Sequence, residues 1–234
     1  MANLSGKNIL VVGGSGALGS LIAKELVAAG ATVMATSSSI DSAERIPSIA
    51  NPRMVCDLSS NDSIQVLVDY LLDSGVEIDG LVNAAGVVAF GNVSDLKVET
   101  LDRLFAIDAT GPMRLIMGLL PALTSSSKAG REPFIVNISG IVAESPMASL
   151  AAYSAAKSAL YAFDQAITRE LRRDGIRVLD ARPSHTETGL ATRAIAGVAP
   201  SFPTGMEPSW VAARIVKAIL EDERDLPSGS FQQG

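Results

Sequence analysis

Short runs of apolar residues alternate along the chain with longer segments in which apolar residues recur at helical spacing. The short runs contain few polar residues, as is typical of strands that are buried on both faces of a parallel sheet. The predicted strands cover Asn8–Val12, Thr32–Thr36, Arg53–Cys56, Gly80–Val82 with Ile78 before it, Phe134–Ile138 and Ile176–Leu179.

Helical spacing follows most of these strands. The predicted helices cover Ala17–Ala29, Asp62–Asp73, a long region from Asp95 to about Leu123 with a bend near Gly111–Pro112, Ala151–Asp174 and Glu207–Glu221. The polar stretch TSSSKAGREP, at residues 124–133, is predicted to form a surface loop.

This alternation predicts an α/β fold, a Rossmann-like, doubly wound and mostly parallel sheet flanked by helices on both faces. The length of 234 residues suits one domain, and no repeat or linker divides the chain. We therefore expect a single domain over residues 1–234, with a small substrate lid around residues 186–208. The apolar lid residues Ile195, Phe202 and Met206 favour a small or apolar substrate.

Composition and charge exclude several classes of function. The chain is 47% hydrophobic with a net charge of −6, and it has no basic run, which argues against nucleic acid and membrane partners. No apolar run reaches the ~18 residues of a membrane span, and the N-terminus lacks a signal-peptide pattern. The single cysteine, Cys56, excludes an intramolecular disulfide and fits a reducing compartment. We expect a cytoplasmic protein.

The first predicted strand ends in a glycine-rich turn, GGSGALG, that leads directly into the first helix. Glycines permit a tight turn and let a ligand approach the backbone, while a helix N-terminus offers free N–H groups and the positive end of its dipole. Together these features predict an anion site suited to a pyrophosphate. The alternative is a tight turn without a ligand. A P-loop is excluded, because no Gly-Lys-Ser/Thr follows.

Three further segments carry motifs. NAAG, at Asn83–Gly86, follows the fourth strand, and CDL, at Cys56–Leu58, follows the third. YSAAK places Tyr153 and Lys157 four residues apart in a predicted helix. The motifs and their order resemble the short-chain dehydrogenase/reductase family over about Lys7–Trp210.

The glycine turn fits the same resemblance. Gly13 and Gly19 match the outer glycines of that family's Gly-x-x-x-Gly-x-Gly pattern, and Ala17 stands at the middle position. The resemblance implies an NAD(P)-dependent oxidoreductase that reduces a small carbonyl compound or oxidises the corresponding alcohol.

In this family the tyrosine of the Tyr-x-x-x-Lys pair is the acid/base, which implies that role for Tyr153. Lys157 would lower the pKa of the phenol from its ordinary ~10 and bind the ribose of the cofactor. Four residues span about one helical turn, so both side chains project from the same helix face. The alternative is an amphipathic helix with an ordinary surface lysine.

Two positions of the family's catalytic tetrad differ. The family's serine falls on Gly140, with Ser139 beside it, and the family's asparagine falls on Asp108 in DATG. An aspartate there could still hold a water near Lys157, but it adds a negative charge that changes the local titration. Neighbouring side chains of a strand point to opposite faces, so Ser139 could serve only if the strand end is kinked or carries a bulge, which Gly140 could permit. Losing one such donor costs ~10²–10³ in rate. Activity could persist through Tyr153 alone, Ser139 or a substrate hydroxyl, and the alternative is a catalytically impaired nucleotide-binding sensor or partner protein.

The resemblance also implies which residues bind the dinucleotide. They are Gly13, Ser15, Gly16, Leu18, Gly19, Ser37, Ser38, Asp57, Leu58, Asn83, Ala84, Gly86, Tyr153, Lys157, Thr186 and Thr188. No carboxylate follows the second strand to repel a 2′-phosphate, and the serine hydroxyls there could bind it, which favours NADPH (NADP) over NADH (NAD). No Arg or Lys stands there either, so NADH stays open. No metal site is predicted.

Other interpretations remain for parts of the chain. Ser154 and Lys157 also form Ser-x-x-Lys, a serine-nucleophile signature, but its companion motifs are absent. An epimerase or dehydratase of the extended type needs a larger substrate domain, and a methyltransferase has no need of the Tyr-Lys pair. His185 could contact substrate or shuttle a proton, although an exposed loop residue is the simpler interpretation. The family resemblance implies a homodimer or homotetramer.

Overall fold

The computed structural model describes residues 3–231, in which six strands form one sheet. The strands are β1 (Asn8–Val12), β2 (Thr32–Ser37), β3 (Arg53–Val55), β4 (Gly80–Asn83), β5 (Phe134–Ile138) and β6 (Arg177–Ala181). Their order across the sheet is β3-β2-β1-β4-β5-β6, and every neighbouring pair is parallel. The predicted doubly wound α/β sheet is confirmed.

Seven α-helices accompany the strands in the part of the chain that the structure describes. They are α1 (Ala17–Ala28), α2 (Ile40–Ala43), α3 (Asn61–Asp73), α4 (Val98–Phe105), α5 (Gly111–Lys128), α6 (Ala151–Leu171) and α7 (Pro208–Leu220). A π-helical segment, Ala106–Thr110, joins α4 to α5. Helices cover both faces of the sheet, so both faces are buried.

Alternate residues of the central strand β1 feed two separate hydrophobic cores. Ile9 and Val11 pack in one core with residues of α1 and α7. Leu10 and Val12 pack in the other core with residues of α3, α5 and α6. This division follows from the two-residue period of a strand, and it explains why the strand sequences are apolar throughout.

The start and the buried face of α3 follow from its sequence. The Ser60 hydroxyl accepts a hydrogen bond from the Ser63 N–H at 3.2 Å and so caps the first turn. Four apolar side chains at helical spacing form its buried face, namely Ile64, Leu67, Val68 and Leu71. Burying an aliphatic side chain of this size stabilises the fold by roughly 1.5–3 kcal/mol.

The predicted loop at residues 124–133 is wrong in its first half, because α5 continues to Lys128. The Ser126 hydroxyl is buried and donates to Asp79 Oδ1 at 2.6 Å. Arg131 donates to both oxygens of the same carboxylate, at 2.7 Å and 2.6 Å. This tertiary contact anchors polar residues whose composition alone suggests a loop.

The continuous helical stretch from Val98 to Lys128 is long and apolar enough to cross a membrane by length and composition, which the sequence did not lead us to expect. Within its most apolar 18-residue segment, 44% is buried inside the fold. Leu115, Leu119 and Leu123 lie in the core. We therefore describe it as a core helix. The irregularity in this stretch lies at residues 106–110, directly before the bend predicted at Gly111–Pro112.

Strand order fixes where a ligand can bind. The chain moves outward from β1 to β2 and β3, then crosses back to β4, so β1 and β4 are neighbours whose connections leave in opposite directions. A crevice forms beyond the carboxyl ends of the strands at such a point. The candidate site lies there.

Candidate active site

Two glycines of the turn after β1 are required by close approaches. Gly13 has φ +79°, and a Cβ there would lie 2.7 Å from the backbone of Ala85. A Cβ on Gly19 would lie 2.3 Å from the carbonyl oxygen of Gly13. The glycines thus bring α1 and the β4 end close to the turn, whether or not a ligand binds.

The N-terminus of α1 is bare and faces the crevice. Gly16 is its N-cap residue, no side chain caps it, and the first turn contains no acidic residue. Gly16, Ala17 and Leu18 line the cavity described below. Free N–H groups at a helix N-terminus attract anions, and the positive end of the dipole adds to this attraction. The residues present therefore fit the pyrophosphate of a dinucleotide.

A cavity of about 400 Å³ extends from this helix end along the carboxyl ends of the strands to the turn after β6. It brings together half of the residues that the sequence analysis identified. Those that line it are Gly16, Leu18, Ala84, Gly86, Ser139, Tyr153, Lys157, Thr186 and Thr188. The glycine turn, the NAAG segment, the Tyr-Lys pair and the threonine turn thus meet in one place.

The other predicted residues do not line this cavity, and several have different contacts. Ser37 is buried and donates to the carbonyl of Ser39 at 2.9 Å. The Asp57 carboxylate accepts from Ser59, at 2.9 Å from the N–H and 2.7 Å from the hydroxyl. Leu58 is buried in the hydrophobic core. The remaining residues outside the lining are Gly13, Ser15, Gly19, Ser38, Asn83 and Asp108.

Tyr153 and Lys157 lie one turn apart on α6 and both face the cavity. Lys157 Nζ lies 6.0 Å from the centre of the Tyr153 ring, and it donates to the carbonyl of Ile138 at 2.9 Å. The same-face geometry expected from the four-residue spacing is present. The carbonyl at the end of β5 holds the ammonium in place.

The expectation that the pKa of Tyr153 is lowered is not met in this structure. Burial raises the pKa of the phenol, because the apolar surroundings disfavour the phenolate. Lys157 acts in the opposite direction and lowers it, whereas Asp108 raises it further. The effect of the lysine has the predicted sign, but burial outweighs it.

Asp108 forms a buried ion pair with Lys157. Its Oδ1 lies 3.2 Å from Lys157 Nζ and accepts from the Val87 N–H at 3.2 Å. Burial raises the pKa of Asp108 to about 6, although Lys157 acts to lower it. For Lys157, burial lowers the pKa, but Asp108 and Tyr153 raise it, and the net shift is upward. A carboxylate thus neutralises the charge that should favour the phenolate.

The Ser139 hydroxyl points away from the cavity, although the residue contributes to the lining. Ser139 is fully buried, and its Oγ donates to Asp180 Oδ1 at 2.6 Å. The N–H groups of Ser139 and Gly140 both donate to the carbonyl of Ala181, at 3.1 Å and 3.2 Å. Two consecutive N–H groups on one carbonyl are the hydrogen-bond pattern of a β-bulge, so the strand end is irregular, as a catalytic role of Ser139 would require. The hydroxyl is nevertheless engaged by Asp180.

Gly140 occupies a backbone conformation that is available essentially to glycine alone. Its φ is 76° and its ψ is 166°, a combination that costs other residues about 1–3 kcal/mol. The nearest atom to a Cβ at Gly140 is the Pro183 carbonyl oxygen at 3.7 Å, so the backbone rather than space disfavours a serine.

The sequence analysis missed a buried polar chain behind the cavity. Asn83 Nδ2 donates to Asn137 Oδ1 at 2.7 Å, and Asn137 Nδ2 donates to Asp164 Oδ1 at 2.6 Å. Asp180 accepts the hydrogen bond from the Ser139 hydroxyl described above. Burial raises the pKa of Asp164, and the neighbouring Asp180 raises it further. One signal was visible, since the otherwise apolar run VLDAR carries two charged residues at alternate positions.

Arg182 is the centre of this chain of polar groups and is fully buried. Its guanidinium donates to Asp180 and Asp225, both at 2.7 Å, and forms an ion pair with Glu144. It also stacks over the Tyr161 ring, 4.3 Å from the ring centre. Arg182 therefore joins the ends of β5 and β6 to the segment after α7.

Comparison with known proteins gives the following. The sequence model of the family described as short chain dehydrogenase matches residues 7–198. The 3-oxoacyl-(acyl-carrier-protein) reductase of Salmonella typhimurium is 29% identical over 236 residues, which cover 97% of this chain and 95% of that protein. The cyclic-di-GMP-binding biofilm dispersal mediator protein of Escherichia coli is 30% identical over 190 residues, covering 80% of this chain and 76% of that protein.

A solved structure agrees in fold over nearly the whole chain. It is a metagenomic short-chain oxidoreductase crystallised in complex with NADP, with a TM-score of 0.78 and 26% identity. The match covers 97% of this chain and 98% of that one.

Proposed function

The chain belongs to the short-chain dehydrogenase family of oxidoreductases, and from this premise we propose that it reduces a small carbonyl compound with NADPH, or oxidises the corresponding alcohol with NADP. One observation carries the proposal. The Tyr153–Lys157 pair and the bare N-terminus of α1 open onto the same cavity, so a proton donor and an anion site flank one space.

The side chains of this chain handle the proton. The Tyr153 hydroxyl donates its proton to the substrate oxygen as negative charge develops there, and Lys157 stabilises the phenolate that remains. A bound nicotinamide dinucleotide supplies the hydride for reduction and accepts it in the reverse reaction. The N–H groups of the α1 N-terminus would bind its pyrophosphate, and Thr186 and Thr188 would contact its carboxamide.

Support for NADPH over NADH comes from the end of β2. Ser38 is exposed, whereas the hydroxyls of Ser37, Ser39 and Ser42 are bonded to one another or to nearby backbone. Ser38 is therefore the hydroxyl available to a 2′-phosphate. Among proteins of similar fold, the metagenomic oxidoreductase was crystallised with NADP and a Brucella melitensis 3-ketoacyl-(acyl-carrier-protein) reductase with NADH, so the support for NADPH is the Ser38 hydroxyl.

A Ser38→Asp variant tests this preference. A carboxylate repels a 2′-phosphate, so we expect NADPH to bind at least about tenfold more weakly, with a much smaller effect on NADH. Fluorescence titration of both cofactors measures the two dissociation constants. Ser5→Asp adds the same charge at an exposed position far from the cavity and should leave both constants unchanged. Equal weakening of NADPH and NADH by S38D would contradict the proposed contact.

The catalytic role of Tyr153 is tested by titrating its phenolate absorbance with bound NADP, beside the Tyr153→Phe variant. The chain has three tyrosines, so the difference spectrum is readable, and no substrate need be chosen. A positive nicotinamide beside the phenol favours the phenolate, so we expect a signal at a lower pH with NADP than without it, absent in Y153F. If NADP binds and no such signal appears, Tyr153 is not the base.

A catalytically impaired nucleotide sensor or partner protein is the second candidate. The orientation of Ser139 toward Asp180 and the absence of a side chain at Gly140 favour it, because both remove a donor from the substrate oxygen. The related Escherichia coli protein is named for cyclic-di-GMP binding and biofilm dispersal. A chain that binds a dinucleotide but shows no early phenolate would fit this candidate.

The proposal includes a homodimer or homotetramer in the cytoplasm. The family resemblance implies that the long helices, α4 with α5 and α6, pair across two-fold axes, and Val98 on α4 and Met117 on α5 are exposed apolar side chains there. Light scattering on an eluting gel-filtration peak measures the mass, and a monomer at micromolar concentration would contradict the assembly. The single cysteine favours a reducing compartment, which cell fractionation tests.

A further inference from the structure

A separate apolar cluster surrounds the Tyr153 end of the cavity. It is distinct from the two cores that pack the sheet, and most of its side chains also line the cavity. The members that do both are Val88, Phe90, Ile141, Val142, Leu150, Tyr153, Leu190, Ala191 and Phe202. The tyrosine expected to meet the substrate oxygen thus packs against hydrocarbon side chains of the cavity, which suits an apolar substrate.

Phe202 brings an aromatic ring from the lid into this cluster. Its ring centre lies 6.0 Å from that of Phe90 and 4.9 Å from that of His185. His185 lines the cavity, so the simpler expectation of a purely exposed loop residue is not met. The three rings form one wall of the substrate end.

Backbone hydrogen bonds tie the lid down on both sides of Phe202. Before it, the Ile195 N–H donates to the Val88 carbonyl at 2.8 Å, and the Phe90 N–H donates to the Ala196 carbonyl at 2.9 Å. After it, the Met206 N–H donates to the carbonyl of His185 at 2.8 Å. Phe202 is therefore presented to the cavity by a segment with fixed ends.

The basic side chains lining the cavity are hydrogen-bonded or close to polar groups of the protein. Lys157 is paired with Asp108, and Arg193 donates to the carbonyls of Gly189 and Thr188 at 3.1 Å and 3.2 Å. His185 Nε2 lies 3.4 Å from a Glu187 oxygen. Lys157 and His185 thus face carboxylates of this protein, whereas Arg193 is exposed on the lid and is held by backbone carbonyls.

These observations deepen the proposed function, on which they rest. We propose that the substrate is a neutral carbonyl compound whose substituents are hydrocarbon, such as an alkyl-substituted cyclic ketone, and that Phe202 determines this specificity. A hydrocarbon substituent gains by leaving water for the apolar cluster, whereas a charged one loses its hydration among hydrocarbon side chains.

A matched pair of ketones tests the proposed substrate class. With NADPH, 4-methylcyclohexanone is compared with 4-oxocyclohexanecarboxylate, which differ in a methyl group against a carboxylate. We expect kcat/KM for the methyl compound to be at least about a hundredfold higher. Each further methylene in a 4-alkyl series should raise kcat/KM by about fourfold until the cavity is filled.

Two lid variants test the specificity residue. Phe202→Ala should raise KM for 4-methylcyclohexanone about tenfold while leaving NADPH affinity unchanged, because the ring faces the substrate end. Val198→Ala is the control, since Val198 lies on the same lid and is 88% exposed. It should change neither constant. A KM unaffected by F202A would overturn the role of Phe202.

A binding measurement distinguishes a failure of this inference from a failure of the proposed function. The two ring compounds are titrated calorimetrically into the full chain in the presence of NADP, which needs no turnover. Tighter binding of the methyl compound supports the inference even if no ketone is reduced, in which case the proposed function fails alone. Equal or tighter binding of the carboxylate overturns the inference, and reduction of either compound would still support the oxidoreductase.

Discussion

At the residue scale, Asp108 affects the proposed chemistry through its buried ion pair with Lys157. Tyr153 and Lys157 have the relation that their spacing predicts, but the carboxylate 3.2 Å from the ammonium offsets its charge. A neutral amide of the same shape would leave Lys157 free to favour the phenolate. Burial raises the pKa of Tyr153 most, and Asp108 raises it further, so Asp108 contributes to the pH at which Tyr153 can accept a proton.

An Asp108→Asn variant tests this. Because Asp108 raises the pKa of Tyr153, removing its charge should lower that pKa. We expect the acid limb of kcat/KM for alcohol oxidation to move to lower pH, with a severalfold higher rate below the wild-type limb. The pH–rate profile measures this, and the phenolate absorbance should shift in the same direction.

Asp102→Asn is the matched control, since Asp102 is exposed on the neighbouring turn of α4. It removes the same charge and should leave the profile unchanged. An acid limb that stays in place in D108N, or moves to higher pH, would show that Asp108 does not control the phenol.

Residue identity alone predicted the Tyr-Lys pair well, because a four-residue spacing in a helix fixes which face both side chains share. The alternation of side chains along a strand also indicated that Ser139 points to the opposite face of the sheet from position 140, where the family has its catalytic serine. It could not identify Asp180 as the partner of Ser139, since 41 residues separate them in sequence. The position of Asp108 near Lys157 was expected from the family resemblance, whereas its direct ion pair with the ammonium depends on how a π-helical segment turns.

At the scale of elements, hydrophobic periodicity predicted all six strands and the major helices to within a few residues. It failed where polar side chains are buried. The last turn of α5 was assigned to a loop because its serines are polar, yet Ser126 donates to the buried Asp79. The short helix α2 was missed because it has four residues, with its N-cap made by a Ser39–Ser42 capping box.

An Asp79→Asn variant tests how much this buried contact holds α5 to the sheet. The hydrogen bonds from Arg131 and Ser126 hold the pKa of Asp79 below its usual range, although burial acts to raise it. A lowered carboxyl pKa contributes stability above the unfolded-state pKa of about 3.9 and loses it as pH falls. We expect D79N to lower the free energy of unfolding by about 1.5–3 kcal/mol at pH 7.

The loss should shrink as the pH is lowered through 4, because the wild-type carboxylate is then protonated. Urea unfolding between pH 3 and pH 7 measures both effects. Asp73→Asn, an exposed change at the end of α3, should give the wild-type curve. A D79N penalty that does not vary with pH would mean that shape, rather than charge, makes the contact.

At the scale of the whole molecule, one buried polar chain joins parts that are distant in sequence. It runs from Asn83 and Asn137 through Asp164 and Asp180 to Arg182, which holds Glu144 and Asp225. The segment after α7 is attached to β6 in the same place by the Leu226 N–H, which donates to the Asp180 carbonyl at 3.1 Å. Composition could not predict this buried polar chain, because its residues come from separate strands and helices.

The buried polar chain contains two neighbouring carboxyl groups, those of Asp164 and Asp180. Their protonation makes the stability of the fold depend on pH. The Oδ2 atoms of Asp164 and Asp180 are buried without a donor among the described side chains, and the two carboxyl groups hydrogen-bond when they share a proton. Burial raises both pKa values, so the folded chain retains a proton that the unfolded chain has lost. Stability from this pair is therefore full below pH 4 and falls as pH rises, by at most about 1.4 kcal/mol per pH unit.

Replacing Asp164 with Asn should remove this dependence. The amide oxygen can still accept from Asn137, and the amide nitrogen can donate to the free oxygen of Asp180 in place of the shared proton. We expect D164N to unfold at a higher urea concentration than the wild type at pH 8, with the advantage shrinking toward pH 5. Asp174→Asn, at an exposed position just after α6, removes the same charge and should follow the wild-type curve. A D164N chain less stable than wild type at pH 8 would mean that Arg182 needs both carboxylates charged, and that the polar chain carries no shared proton.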